Sequence, residues 1–168
     1  AITLDNTWNY VCWSPELGMF AAVSNTGTGN RVMTSSDGLT WSTRTSPANN
    51  SWNSICWSPD LSIFAASSTT GSGDRIMTSH DGITWTAATG ITNNTWNCIC
   101  WSSELSMFVS VSGSGTSDRV MTSAIGIPNG KSAILDNPTH ISVSPTGTVS
   151  LAGQLSSSLT TGTAPFSV

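Results

Sequence analysis

The side chains with the means to do chemistry come in threes. Arg31, Arg75 and Arg119 look like a triad until their spacing is noted: they are one position copied at a constant interval of 44 residues. Glu16, Asp60 and Glu104 are likewise one position copied three times. A catalytic centre needs different groups converging on one point, and copies of one group on successive repeats do not supply that. Each arginine follows Asn30, Asp74 or Asp118 and opens an expected strand, which suits a loop clamp or a structural ion pair. Tyr10, the single tyrosine, has Ser54 and Cys98 as its counterparts. The polar residues that are not repeated, Asp5, Arg44, His80, Lys131, Asp136 and His140, lie scattered without acid–base pairing. We expect no catalytic residue, no cofactor and no enzyme.

Metal chemistry is no better supplied. Asp74 and Asp118 sit in Gly-rich loops that could offer oxygens to Ca²⁺, but each loop has one carboxylate and the first copy has Asn30. Cys12, Cys56 and Cys100 share one repeat position and Cys98 is an extra. No CxxC pair or histidine partner points to zinc, and repeat-related positions lie too far apart for a disulfide. Buried free thiols are expected. What remains is binding by repetition. The loops carrying Asn30 and Arg31, Asp74 and Arg75, and Asp118 and Arg119 are candidate surface-binding loops, because copies at regular spacing suit multivalent contact. Plain turn chemistry also accounts for each loop taken singly. The Asn/Thr linkers Asn49-Asn50-Ser51 and Asn93-Asn94-Thr95 join them as candidates for the exposed face and read as glycosylation sequons.

The elements that must position these residues are written almost three times. Trp8–Trp41 reads WNYVCWSPELGMFAAVSNTGTGNRVMTSSDGLTW and Trp52–Trp85 reads WNSICWSPDLSIFAASSTTGSGDRIMTSHDGITW. The third copy starts at Trp96 and leaves the pattern after Ser123. In the first copy strands are expected over Trp8 to Ser14, Met19 to Ser24, Arg31 to Ser35, and Thr40 to Thr45, separated by turn residues. Nothing has helical period. Strict alternation along the first strand places Asn9, Val11 and Trp13 on one face and Trp8, Tyr10 and Cys12 on the other. Both faces are apolar, as a sheet between two neighbours requires. The recurring Phe20, Phe64 and Phe108, and Met33, Met77 and Met121, are core stripes.

Composition agrees with a packed β protein. Charged residues make up 8% of the chain, yet it has eight tryptophans and regular apolar runs. A net charge of −4 with five Lys plus Arg leaves no basic footprint for nucleic acid. No apolar run approaches the roughly 18 residues of a membrane span. The chain opens on Ala1, inside a repeat, as expected of a processed chain or an excerpt of a longer one.

The turn Ser35-Ser36-Asp37-Gly38-Leu39-Thr40-Trp41, repeated as Ser79-His80-Asp81-Gly82-Ile83-Thr84-Trp85, resembles the Asp-box of sialidase-like β-propellers, S-x-D-x-G-x-T-W. Here Asp and Gly are adjacent, one residue tighter than that pattern. The resemblance covers residues 1 to 123 and implies propeller-like blades of four strands, the size a 44-residue repeat suits. It makes Asp37, Gly38, Trp41, Asp81, Gly82 and Trp85 structural turn residues, because such boxes lie away from catalytic centres. Sialidase chemistry would need an arginine cluster on the substrate carboxylate and a Tyr nucleophile assisted by Glu. A sialidase-like glycoside hydrolase, or a carbohydrate-binding propeller of a secreted protein, is therefore the alternative reading. The repeat wording W-x-x-V-C-W-S-P-E-L…F-A-A-V…R-V-M-T-S-x-D-G-x-T-W is also similar to arrays in large-virus and phage-like proteins.

After Ser123 the chain changes character. Ala124 to Gly130 replaces the expected box, and from Lys131 the sequence is Ser, Thr, Gly and small apolar residues. His140 to Ser144 and Thr148 to Leu151, around Pro145-Thr146-Gly147, predict a hairpin. Leu159 to Val168 resembles segments of phage tail fibres and stops on an expected strand, so continuation of the natural chain is expected. The organisation is thus 1–123, with repeats at 8–51, 52–95 and an incomplete 96–123, then a β-rich fibre-like or blade-completing segment at 124–168. Three blades leave two open faces, because a propeller takes four to eight. The expected partners are copies of the chain itself, with a trimer favoured, neighbouring virion or fibre proteins, and cell-surface glycans. No nucleic acid and no membrane span are expected, and the location is extracellular or on the virion surface.

Overall fold

The structure is a computed structural model and describes residues 5–123, together with the backbone of 141–143 and 149–151. The chain divides into one unit over Ala1–Pro138 and a second over Thr139–Val168. The described residues are all-β. In the first unit β1 (Trp8–Ser14), β2 (Met19–Ser24), β3 (Val32–Ser35) and β4 (Ser42–Arg44) form one antiparallel sheet in sequence order. The second sheet repeats it with β5 (Trp52–Ser58), β6 (Ile63–Ser68), β7 (Ile76–Ser79) and β8 (Thr86–Ala87). The third has β9 (Trp96–Ser102), β10 (Met107–Ser112) and β11 (Val120–Thr122) among the described residues. In the second unit β12 (Ile141–Val143) pairs antiparallel with β13 (Val149–Leu151), at the place where the hairpin was expected. The expected replacement at 124–130 and the fibre-like 159–168 lie outside the described residues. No helix is long and apolar enough to cross a membrane among them.

The strands follow from the turns that bound them. Pro15 accepts from the Gly18 amide at 3.3 Å, Ser14 Oγ accepts from the Leu17 amide at 3.1 Å, and Gly18 takes a φ of 58°. The same brace recurs from Leu61 to Ser58 Oγ at 3.1 Å, with Ser62 in the left-handed position. At the other end of β2, Ser24 Oγ lies at 2.8 and 3.0 Å from the carbonyls of Thr7 and Thr26, which share its one proton, and Ser68 and Ser112 sit likewise in their repeats. Serine at 0% exposure is therefore no anomaly: a small hydroxyl satisfies backbone that an apolar residue would leave unpaired. The strands expected from Arg31 and Thr40 begin one and two residues later, because Arg31 belongs to the loop and Thr40 to the turn.

Strict alternation along the first strand is the expectation that fails. The register slips between Trp8 and Tyr10, and again between Trp52 and Ser54, so each first strand carries a β-bulge at its asparagine. The extra residue puts Trp52 on the face of Ile55 and Trp57, not on that of Ser54 and Cys56. That face, with Phe64, Ala66, Met77 and Trp85, packs on Ala21, Val23, Val32 and Cys12 of the first sheet. The opposite face, with Ile63, Ala65, Ile76 and Cys56, packs on Trp96, Ile99, Phe108, Trp101 and Met121 of the third. Each sheet thus has a front of Trp, Ile or Val, Phe and Met, and a back of small and β-branched residues. Fronts lie on backs. Within each sheet the strand-one Trp tilts on the strand-two Phe at a centroid separation of 4.5 to 4.7 Å.

One back-face residue is out of keeping. Ser67 is fully buried with its hydroxyl unpartnered among the described residues, where the flanking repeats carry Val23 and Val111. Ser67→Ala is expected to stabilise by about 1 kcal/mol, because a desolvated, unbonded hydroxyl is removed. Comparison of urea midpoints for the two proteins checks this.

Candidate functional site

The residues singled out by type and spacing fall into two recurring constructions, the Gly-rich loop and the Asp-Gly turn. In the loop, Arg31 Nε donates to the Gly27 carbonyl at 2.8 Å, and Nη1 donates to those of Asn25 and Asn50, both at 2.9 Å. Arg75 repeats this on Gly71, Thr69 and Asn94, at 3.0, 2.9 and 2.8 Å. A planar guanidinium with five fixed donors suits three diverging carbonyls. Arg119 donates to the Gly115 carbonyl at 2.8 Å without the bond to Gly113 that would match Asn25 and Thr69, and the counterpart of Asn50 lies outside the described residues.

The loops also tie one repeat to the next. Asn50 gives its carbonyl to Arg31 of the repeat before it and its amide to the Asp74 carbonyl of the repeat after it, at 3.0 Å. Asn94 likewise links Arg75 to the Asp118 carbonyl at 2.9 Å, and Asn6 reaches Asn30 at 3.1 Å. Gly71 has a φ of 120°, and a side chain there would meet Asn50 and Asp74. The linkers are therefore not wholly exposed, as the sequence suggested. Asn50 and Asn94 are buried, while Asn49 and Asn93 are exposed and accept from the amides of Gly29 and Gly73, both at 2.7 Å. The signal for this clasp was present in the sequence: an Asn two residues before each repeat-opening Trp, and an Arg 19 residues before that Asn.

In the turn, Asp37 Oδ1 accepts from the amides of Thr40 at 2.7 Å and Leu39 at 2.8 Å, and from Ser35 Oγ at 3.0 Å. Gly38 takes a φ of 73°, and its carbonyl accepts from Trp41 Nε1 at 3.2 Å. Asp81, Gly82 and Trp85 repeat this, with 2.7 Å to Thr84, 2.8 Å to Ile83 and 3.1 Å from the Trp85 indole. Amide donors favour the carboxylate over the acid, so both aspartates are pulled down to about 2: by Thr40, Leu39 and Ser35 at Asp37, and at Asp81 chiefly by Thr84, then Ile83 and Ser79, against some desolvation. The folded value lies below the ordinary 3.9 or so, so the stabilisation is present above about pH 4 and is lost as pH falls through about 2. In thermal melts between pH 2 and 7 the Asp37→Asn/Asp81→Asn protein should start less stable at neutral pH and lose less on acidification.

The remaining candidates stay apart. Tyr10 is exposed, and His80 Nδ1 lies 2.8 Å from the Ser62 carbonyl beside an exposed turn. Glu16 accepts from Trp57 Nε1 at 2.6 Å and Asp60 from Trp101 Nε1 at 3.1 Å, so these carboxylates anchor neighbouring sheets. Lys131, Asp136 and His140 lie outside the described residues. Among the described residues no group of three or more His, Cys, Asp or Glu is arranged to hold a metal ion.

The thiols divide by sheet. All four are free; Cys12 and Cys56 are half-buried between sheets, whereas Cys98 and Cys100 are exposed, contrary to the expectation that all would be buried. They lie on the back of the third sheet, which has no fourth sheet behind it among the described residues. Burial pushes the Cys12 thiol up to about 12, and burial, with neighbouring thiols adding to it, raises Cys56 too. At dilution, Cys98 and Cys100 should alkylate first, with Cys12 and Cys56 reacting only on unfolding; mass spectrometry of timed samples resolves this.

These residues define an all-β repeat protein whose recurring polar side chains close loops and join sheets. No family model and no curated protein matches the chain.

Proposed function

We propose that the chain is a non-enzymatic structural and adhesion module of an extracellular or virion-surface, fibre-like protein, which assembles with itself and with neighbouring fibre proteins. In this reading the 44-residue units are propeller-like blades of the Asp-box kind. The observation that carries it is how the arginines are used. Arg31 and Arg75 each use three of their five donors, from Nε and Nη1, on backbone carbonyls of the loop and linker, so they serve as loop clamps. What the fold offers is a loop of one design at each repeat, with Asn30 and Asp74 half-buried in it and Asp118 exposed, and such an array gains affinity by multivalency. Cell-surface glycans are the ligand class this suits.

The test is binding of the labelled chain to a glycan array and to cells, alongside turnover of a generic sialoside. Saturable binding that weakens for a single excised repeat supports the reading. Sialoside turnover would overturn it in favour of a sialidase-like hydrolase.

A further inference from the structure

Among the described residues two sheet faces have no neighbouring sheet, and the chain contains, in its own interior, the partner that each one takes. On the front of the first sheet Val11 is 50% and Trp13 42% exposed, while their counterparts Ile55 and Trp57 are 1% and 8% exposed under the back of that sheet. On the back of the third sheet Val111 is 45% and Val120 62% exposed, while Val23 and Val32, their counterparts in the first, are both at 0% against the second sheet's front. The bare front matches fronts that are covered by a back, and the bare back matches backs that cover a front. The polar contacts fit as well. Glu16 and Asp60 accept the indole N–H of Trp57 and Trp101 across the two internal junctions. Glu104 is the third copy of that carboxylate and is exposed, and Trp13 is the first copy of that indole.

We propose that the front of the first sheet docks on the back of the third sheet of a second copy, with Trp13 Nε1 donating to the Glu104 carboxylate of that copy. This names the surface for the self-assembly proposed above, and it rests on that reading. The contact is head to tail, made from two different patches, so it propagates until the rotation closes. Two copies bring six sheets together, which lies within the four to eight of a closed propeller. Left bare, contiguous apolar faces of this kind invite aggregation, and mutual cover removes that hazard.

Val11→Asp spoils the front and leaves the back, while Val120→Asp spoils the back and leaves the front. Both sites are exposed in the single chain, so both variants should keep the circular dichroism and melting temperature of the unassembled protein. By light scattering the unaltered chain is expected at twice its 17.5 kDa mass. Each variant alone should be monomeric, and an equimolar mixture should pair one to one. In the unaltered chain, alkylation of Cys98 and Cys100 should be lost at concentrations where it assembles.

A chain that stays monomeric at all concentrations, variants that still self-associate, or a mixture that stays unpaired would each overturn the proposal. So would thiols already protected at dilution, since residues beyond Ser123 would then cover the back. Glycan or cell binding by a monomeric chain would sink the docking and leave the adhesion reading standing. Head-to-tail pairing without such binding would do the reverse.

Discussion

Trp52→Ala should lower the unfolding free energy by about 3–5 kcal/mol, enough to leave much of the population unfolded at ordinary temperature. Trp52 is at 0% exposure, in the junction between the first two sheets, and its indole N–H donates to the Ala48 carbonyl at 3.3 Å. Truncation therefore opens a cavity and orphans an acceptor in the linker as well. Val11→Ala provides the contrast. It removes an apolar side chain from a first strand too, but at 50% exposure it should change stability by no more than about 0.5 kcal/mol in the unassembled chain. Urea titrations of the two variants, followed by Trp fluorescence for Val11→Ala and by circular dichroism for Trp52→Ala, give both numbers. Near-equal losses would mean that the junction is not where the core is built.

Arg75→Met should cost about 2–4 kcal/mol, and Arg75→Lys should recover only a small part of it. The guanidinium satisfies the carbonyls of Gly71, Thr69 and Asn94 from one rigid plane, and the loss stays below the sum of three charge-assisted bonds because water reaches this half-buried site once the side chain is removed. A lysine ammonium has the charge but not the fork. Arg119→Met should cost much less, because Arg119 is exposed and donates to one carbonyl, that of Gly115, among the described residues. Chemical denaturation of the three variants ranks them, and a smaller loss for Arg75→Met than for Arg119→Met would remove the clasp as a source of stability.

The strand pattern was legible in the sequence because the repeat states it more than once: Trp8–Ser14 and Met19–Ser24 end where the turn residues say they must. The aspartate turn was legible for a similar reason, since Asp, Gly and Trp at fixed offsets leave little choice of backbone. The face of Trp8 was not. Its position depends on a bulge at Asn9, and a bulge is an agreement between two strands that one strand does not record. The clasp was half legible. Arginine after Asn30 or Asp74 suggested a loop clamp, but the reach to Asn50 and Asn94 is a long-range contact that only the stacked sheets create. Exposure of Cys98 and Cys100 depended on the same thing, namely which sheet has a neighbour.

The clasp also limits how a gene for such a chain can change length. Asn50 is held by an arginine 19 residues behind it and holds a carbonyl 24 residues ahead, and Asn94 keeps both intervals. Inserting or deleting a few residues within either interval pulls a buried asparagine out of reach on one side. Duplicating or losing a whole unit leaves every interval intact, and it also returns a front to a back at the new junction. Viable descendants of this sequence should therefore differ in length by whole units, because the intervals run end to end from Asn6 to Asp118.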